Sequence, residues 1–163
     1  MKSIDIEIAA MEYFGVRQNL IVPNVHWGMS LGNKDLHECD LLVLTKAGYA
    51  TEIEIKVSKY DLLKDKDKKH KHNHNLIRRL FFAVPEKLKV IALDNIPENA
   101  GLLTVSESID IKGTYNVELI KSPKTNKCAI KWVDKQRMKL AELGCMRLLG
   151  LKIKLNKNKG LKK

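Results

Sequence analysis

Apolar positions along the chain change their period several times, and each change marks an element. Ile4, Ile8, Met11, Tyr13 and Phe14 recur at near-helical spacing, which predicts an amphipathic helix over residues 3–14. Ser3 is placed to cap its start and Gly15 to stop it. Leu20, Ile21, Val22 and Val25 predict a strand, and Pro23 inside it points to a sheet edge or a bulge. Residues 41–44 are a continuous apolar run, the pattern of a strand buried on both faces. Lys46, Ala47 and Gly48 supply turn chemistry. Residues 51–57 then alternate, with Ile53, Ile55 and Val57 on one face and Glu52, Glu54 and Lys56 on the other.

Ser58, with Asp61 three residues on, predicts the start of a basic helix running from Lys59 to about residue 71. Residues 77–84 read as a strand ended by Pro85, with Arg78 and Arg79 at its start. A short strand or helical turn is expected at 89–93, a short buried strand at 102–105 and an alternating strand at 115–120. Residues 132–149 read as a closing helix whose apolar stripe is Val133, Met138, Ala141, Cys145, Leu148 and Leu149, with Gly144 at a point of close packing. This order predicts one α/β domain over residues 1–150, followed by a mobile basic tail over 151–163.

The hairpin around Gly48 gathers charge. Asp40 begins the first strand; Glu54 and Lys56 leave one face of the second, about 7 Å apart along it. Register can bring Asp40 to Glu54, and two converging carboxylates repel unless a cation lies between them. Such an oxygen-lined site with open positions suits magnesium, which keeps waters and accepts phosphate oxygens. A neighbouring lysine can orient the attacking water or stabilise charge building on phosphorus. Glu38 shares the parity of Asp40 and is a further candidate ligand. A half-exposed amphipathic strand would show the same Glu-Ile-Glu-Ile-Lys run, so the pentapeptide alone decides nothing.

Asp40, then Glu54-Ile55-Lys56 after a turn, resembles the motif of the PD-(D/E)XK nuclease superfamily, although Cys39 stands where that motif often has proline. The likeness is nearer to its MmcB-like branch of DNA-repair proteins. It rests on Lys56-Val57-Ser58-Lys59-Tyr60-Asp61, then Phe81-Phe82-Ala83-Val84-Pro85, then Gly101-Leu102-Leu103, and it covers about residues 3–150. The resemblance implies a single restriction-endonuclease-like domain, a small mixed central sheet flanked by helices. It implies Asp40 and Glu54 as ligands of Mg2+ or Mn2+, Lys56 as the residue assisting the water, and Glu7 as an accessory acid on the first helix. The implied activity is hydrolysis of DNA phosphodiesters to a 3′-hydroxyl and a 5′-phosphate, in repair or processing, with a homodimer as one arrangement. On that view Asp40→Ala and Lys56→Ala each abolish cleavage and leave the fold intact. A catalytically inactive DNA-binding module on the same fold is the alternative.

Composition narrows the partners. The 163 residues carry a net charge of +11, with 44 % hydrophobic and 30 % charged residues. That balance favours a polyanion, nucleic acid first. Candidate phosphate contacts are Lys59, Lys68 and Lys69 on the basic helix, Arg78 and Arg79, and Lys152 and Lys154 in the tail. From Lys131 onward eleven Lys or Arg face only Asp134 and Glu142, so most of the excess charge is terminal. The alternating His70, His72 and His74 suggest a metal site on a strand, but the intervening residues favour a polar helix end or loop. Trp27 suits either base stacking or the core. Three scattered cysteines, with no Cys-x-x-Cys pair, argue against a zinc ribbon or a disulfide scaffold and favour a reducing compartment. With no signal-peptide layout and no apolar stretch of membrane-span length, a cytoplasmic protein is expected.

Overall fold

The computed structural model describes residues 1–25, 38–64 and 74–160, the side chains of 158–160 excepted. Trp27 and its neighbours, the turn at 32–34, Lys68, Lys69, His70 and His72 lie outside the described residues.

Helix α1 (Ser3–Phe14) is followed by three strands, β1 (Leu20–Val25), β2 (Cys39–Leu44) and β3 (Ala50–Ile55). Next come α2 (Lys59–Lys64), β4 (Ile77–Pro85), a 3-10 turn (Glu86–Leu88), α3 (Lys89–Asn95), β5 (Gly101–Glu107), β6 (Tyr115–Lys121) and α4 (Asp134–Gly160). The six strands form one sheet in sequence order. β1, β2 and β3 pair antiparallel, β3, β4 and β5 pair parallel, and β6 returns antiparallel to β5. The parallel pairs are those whose connections hold helices, because a chain that must return to the same end of a sheet needs a crossover. The result is a small α/β domain with a mixed, open sheet flanked by helices.

β1 is an edge strand, which is why Pro23 is tolerated there opposite Leu41. Gly48 takes φ +86° in the turn between β2 and β3, a conformation that a Cβ would penalise. Gly101 is required by crowding: a Cβ there would lie 2.7 Å from the Phe81 ring and 2.9 Å from the Lys121 carbonyl oxygen.

Two differently built layers cover the sheet. On one face Ile6, Ala9 and Ala10 of α1 pack on Leu41, Val43, Ile53, Phe81, Ala83 and Leu103. The other face carries two separate apolar clusters. One joins Val22, Leu42 and Leu44 to Trp132, Leu140 and Leu143. The second joins Leu80, Phe82, Val84 and Leu102 to Leu62, Leu88 and Ala92. Between them runs β3, whose Glu52 and Glu54 point to this face.

Three expectations about helices change. Lys2, not Ser3, holds the cap position of α1, and its backbone N–H donates to the Asp5 carboxylate. In the closing helix the buried residues are Leu140 and Leu143, not the predicted stripe: Val133, Met138, Cys145, Leu148 and Leu149 are exposed. Trp132 precedes the helix, buried, with its indole N–H donating to the Leu76 carbonyl. Gly144 faces Val22 of β1, where a Cβ would make ordinary van der Waals contact at 3.4 Å. Finally, α4 does not end at Leu149 but continues through Gly150 to Gly160. A single glycine costs about 1 kcal/mol in a helix, too little to stop one flanked by leucines and lysines. Among the described residues no helix is long and apolar enough to cross a membrane.

Candidate functional site

β2 and β3 build the site. Leu41 pairs with Ile53, and carrying that register one residue further sets Asp40 opposite Glu54. The Ile55 N–H donates to Asp40 Oδ2 at 2.8 Å, which fixes the carboxylate against the end of β3. Lys56 follows β3, and its backbone N–H donates to the Ala83 carbonyl, so the neighbouring parallel strand holds this end. Lys56 Nζ donates to Glu54 Oε2 at 2.7 Å and lies 3.9 Å from Asp40 Oδ2. The structure thus brings Asp40, Glu54 and Lys56 together.

Burial distinguishes these residues from a solvated strand face. Every residue of β3 is buried; Glu54 is 1 % exposed and Lys56 4 %. Asp40 is the outer member, with 39 % of its side chain exposed. Burial pushes the Glu54 carboxyl above the usual carboxylate range; Lys56 opposes that shift and the charge of Asp40 adds to it. Glu7, half-buried on α1, is raised as well, first by burial and then by Asp40. Asp40 therefore acts electrostatically on both other acids. Glu38 precedes β2 and is exposed.

The donor set fits a hard divalent cation. Asp40, part-exposed, and Glu54 would be the two carboxylates holding such an ion, whose remaining positions water or phosphate oxygens would take. No group of three or more His, Cys, Asp or Glu among the described residues is arranged as a ready metal cage. Lys56 bridges the acids instead, so the ammonium balances the charge that a cation would balance. Because Lys56 and Glu54 are buried together and hydrogen-bonded, Lys56→Ala removes a partner of a buried carboxylate and is expected to cost stability as well as activity. Asp40→Asn is cleaner, since the amide oxygen can still accept from Ile55.

The predicted phosphate contacts separate. Lys59 is exposed on the first turn of α2, three residues past Lys56. Arg79 pairs with Thr51, so it lies about 10 Å along the strands from the level of Glu54. The alternation of β4 puts Arg79 on the α1 face, with Phe81, and Glu54 on the other. The Arg78 guanidinium stacks on the Tyr49 ring at 3.8 Å. Lys152 and Lys154 are exposed on α4. His74 Nδ1 accepts from the Leu76 N–H ahead of β4, the work of a loop residue. Glu52, which the alternation placed on the face of Glu54 without making it a candidate ligand, is fully buried two residues before it.

No family model matches the sequence, and no curated protein does. A solved structure described as a protein of unknown function from Silicibacter pomeroyi is similar, with a TM-score of 0.62 and 17 % identity over 98 % of this chain and 94 % of that one. At that identity the likeness shows the fold alone: an α/β domain of the same overall architecture.

Proposed function

We propose that this protein is a metal-dependent nuclease acting on DNA, with Asp40 and Glu54 as the metal ligands and Lys56 as the catalytic cation. The observation that carries the reading is the burial of an acid–lysine pair at the end of a central strand, beside a part-exposed aspartate. Burying charge is costly unless it is paired, and strong perturbation in such a place favours function over surface filler. The motif's resemblance to PD-(D/E)XK nucleases and the net charge of +11 support the same reading.

A bound Mg2+ or Mn2+ supplies Lewis-acid polarisation of a phosphodiester oxygen and an acidified water. The chain's own residues do the rest. The Ile55 N–H holds Asp40 in place and leaves its carboxylate open toward the substrate side. Glu54, enclosed in low dielectric, acts on charge more strongly than it would in water. Lys56 is placed to stabilise the negative charge that grows on the phosphorane and to position the attacking water. Half-buried Glu7 is the accessory acid on the Asp40 side.

The Glu54–Lys56 pairing also favours a second reading, in which Lys56 replaces the cation for good and the domain binds DNA without cutting it. Cleavage of single-stranded, duplex and branched DNA with Mg2+ or Mn2+ separates the two. The nuclease reading expects Asp40→Asn to lose at least about 100-fold in rate, as when one transition-state stabiliser is removed. Salt-dependent binding with no cleavage by the wild type would replace it with the binding module.

A further inference from the structure

At the other end of β4 the sheet leaves a groove of about 180 Å³ lined by Arg78, Arg79, Asn99, Lys124 and Thr125. It exists because β5 begins only opposite Phe81, so the first residues of β4 have no strand on that side. The segment after β6 crosses there instead. The Asn126 N–H donates to the Arg78 carbonyl, its side-chain amide donates to the Ile77 carbonyl, and its side-chain oxygen accepts from Cys128. Asn126 is thereby committed to building the wall. The Lys124 N–H donates to the Asn99 carbonyl and ties the segment to the loop before β5.

We propose that this groove is a phosphate-binding site separate from the acid cluster, taking a phosphate group of a nucleic acid. A water occupies about 30 Å³ in the liquid, so the space holds several waters or one phosphate with part of its hydration. Arg79 supplies a planar fork suited to two phosphate oxygens, and Lys124 a compact charge. Arg78, also in the lining, is engaged with the Tyr49 ring. Among the described residues a nearby carboxylate, Glu98, pairs with Lys124, and both are well exposed. Exposed pairs of this kind add little stability, so a phosphate group can exchange for the carboxylate. The site does not depend on the nuclease reading, because Arg79 and Glu54 stand on opposite faces and at different levels of the sheet.

The test is run without divalent metal, so that failure of the acid cluster and failure of the groove stay distinct. Backbone amide shifts are followed by NMR while inorganic phosphate, a 5′-phosphorylated oligonucleotide or its unphosphorylated form is added. Shifts at Asn99, Lys124 and Thr125 are expected with phosphate. Shifts with both oligonucleotides identify backbone phosphates as the source; shifts with the phosphorylated form alone identify a strand end. Arg79→Ala with Lys124→Ala is expected to weaken oligonucleotide binding about tenfold. It should also lower the salt slope by about 0.7, the value for one phosphate contact on a single strand. Lys135→Ala with Lys139→Ala removes equal charge from exposed positions of α4 and is expected to do much less. Absence of phosphate shifts, or equal losses in the two double variants, overturns the proposal.

Discussion

β3 and the distal part of α4 invert the usual placement of side chains. β3 is buried along its whole length although two of its six residues are glutamates, and the residue that follows is a buried lysine. Past Arg147, whose guanidinium donates to the Asn24 carbonyl, α4 exposes Leu148, Leu149, Leu151, Ile153 and Leu155. Topology sets both environments. β3 is an inner strand with a neighbour on each side, so its residues are enclosed whatever their chemistry. The last turns of α4 follow the stretch that packs on edge strand β1, so they stay open whatever theirs. An exposed leucine needs little explanation, whereas a buried acid costs free energy and calls for a reason.

That contrast can be broken most directly at Lys56. Lys56→Ala removes a charged partner of a buried carboxylate and is expected to cost about 3–5 kcal/mol in urea unfolding. Replacing Glu54 and Lys56 together by methionine should restore most of that loss, because both charges then leave the interior. If Lys56→Ala unfolds like the wild type, the pair is not the buried unit described.

A smaller effect is expected at Glu7. Its proton affinity is raised by burial and by Asp40, so in the window above the usual carboxylate range the native state keeps a proton that the unfolded chain has released. Its contribution is therefore fully present at acid pH and is lost as pH rises through the raised value. Glu7→Gln should flatten the fall of stability over that window, read from denaturant midpoints at a series of pH values. An unchanged slope would separate Glu7 from the Asp40 charge.

The smallest change is expected from ending the chain after Leu149. The described side chains of residues 151–157 are exposed, so their removal should shift stability by about 0.5 kcal/mol or less, as for surface changes generally. A larger loss would mean that this helix end is as integral as β3.

Much of this was legible in the order of residues. The strands from 20 to 57 follow from their apolar periods, and the meeting of Asp40 with Glu54 follows from a short turn that leaves one register. Ser58 accepts from the Asp61 N–H at the start of α2, as its position predicted. Burial was not legible, because Glu-Ile-Glu-Ile-Lys reads alike on a half-open strand and on an enclosed one. Only the pairing of β3 between β2 and β4 separates the two cases. The face of α4 was misread for a related reason. Its apolar residues surround the helix, and contact with β1 chooses Leu140 and Leu143. The separation of Arg79 from the acids was hidden too, since it depends on the parallel register of β3 and β4.

The most direct test of the central claim, that the acid–lysine cluster is a divalent-metal site, is Mn2+ binding followed by electron paramagnetic resonance in the wild type and in Asp40→Asn. One bound equivalent is expected in the wild type. It should tighten as pH rises, because Glu54 and Glu7 must give up protons whose affinity burial has raised. Asp40→Asn should weaken it by at least about tenfold. Equal binding by the two proteins, or none by either, would contradict the account.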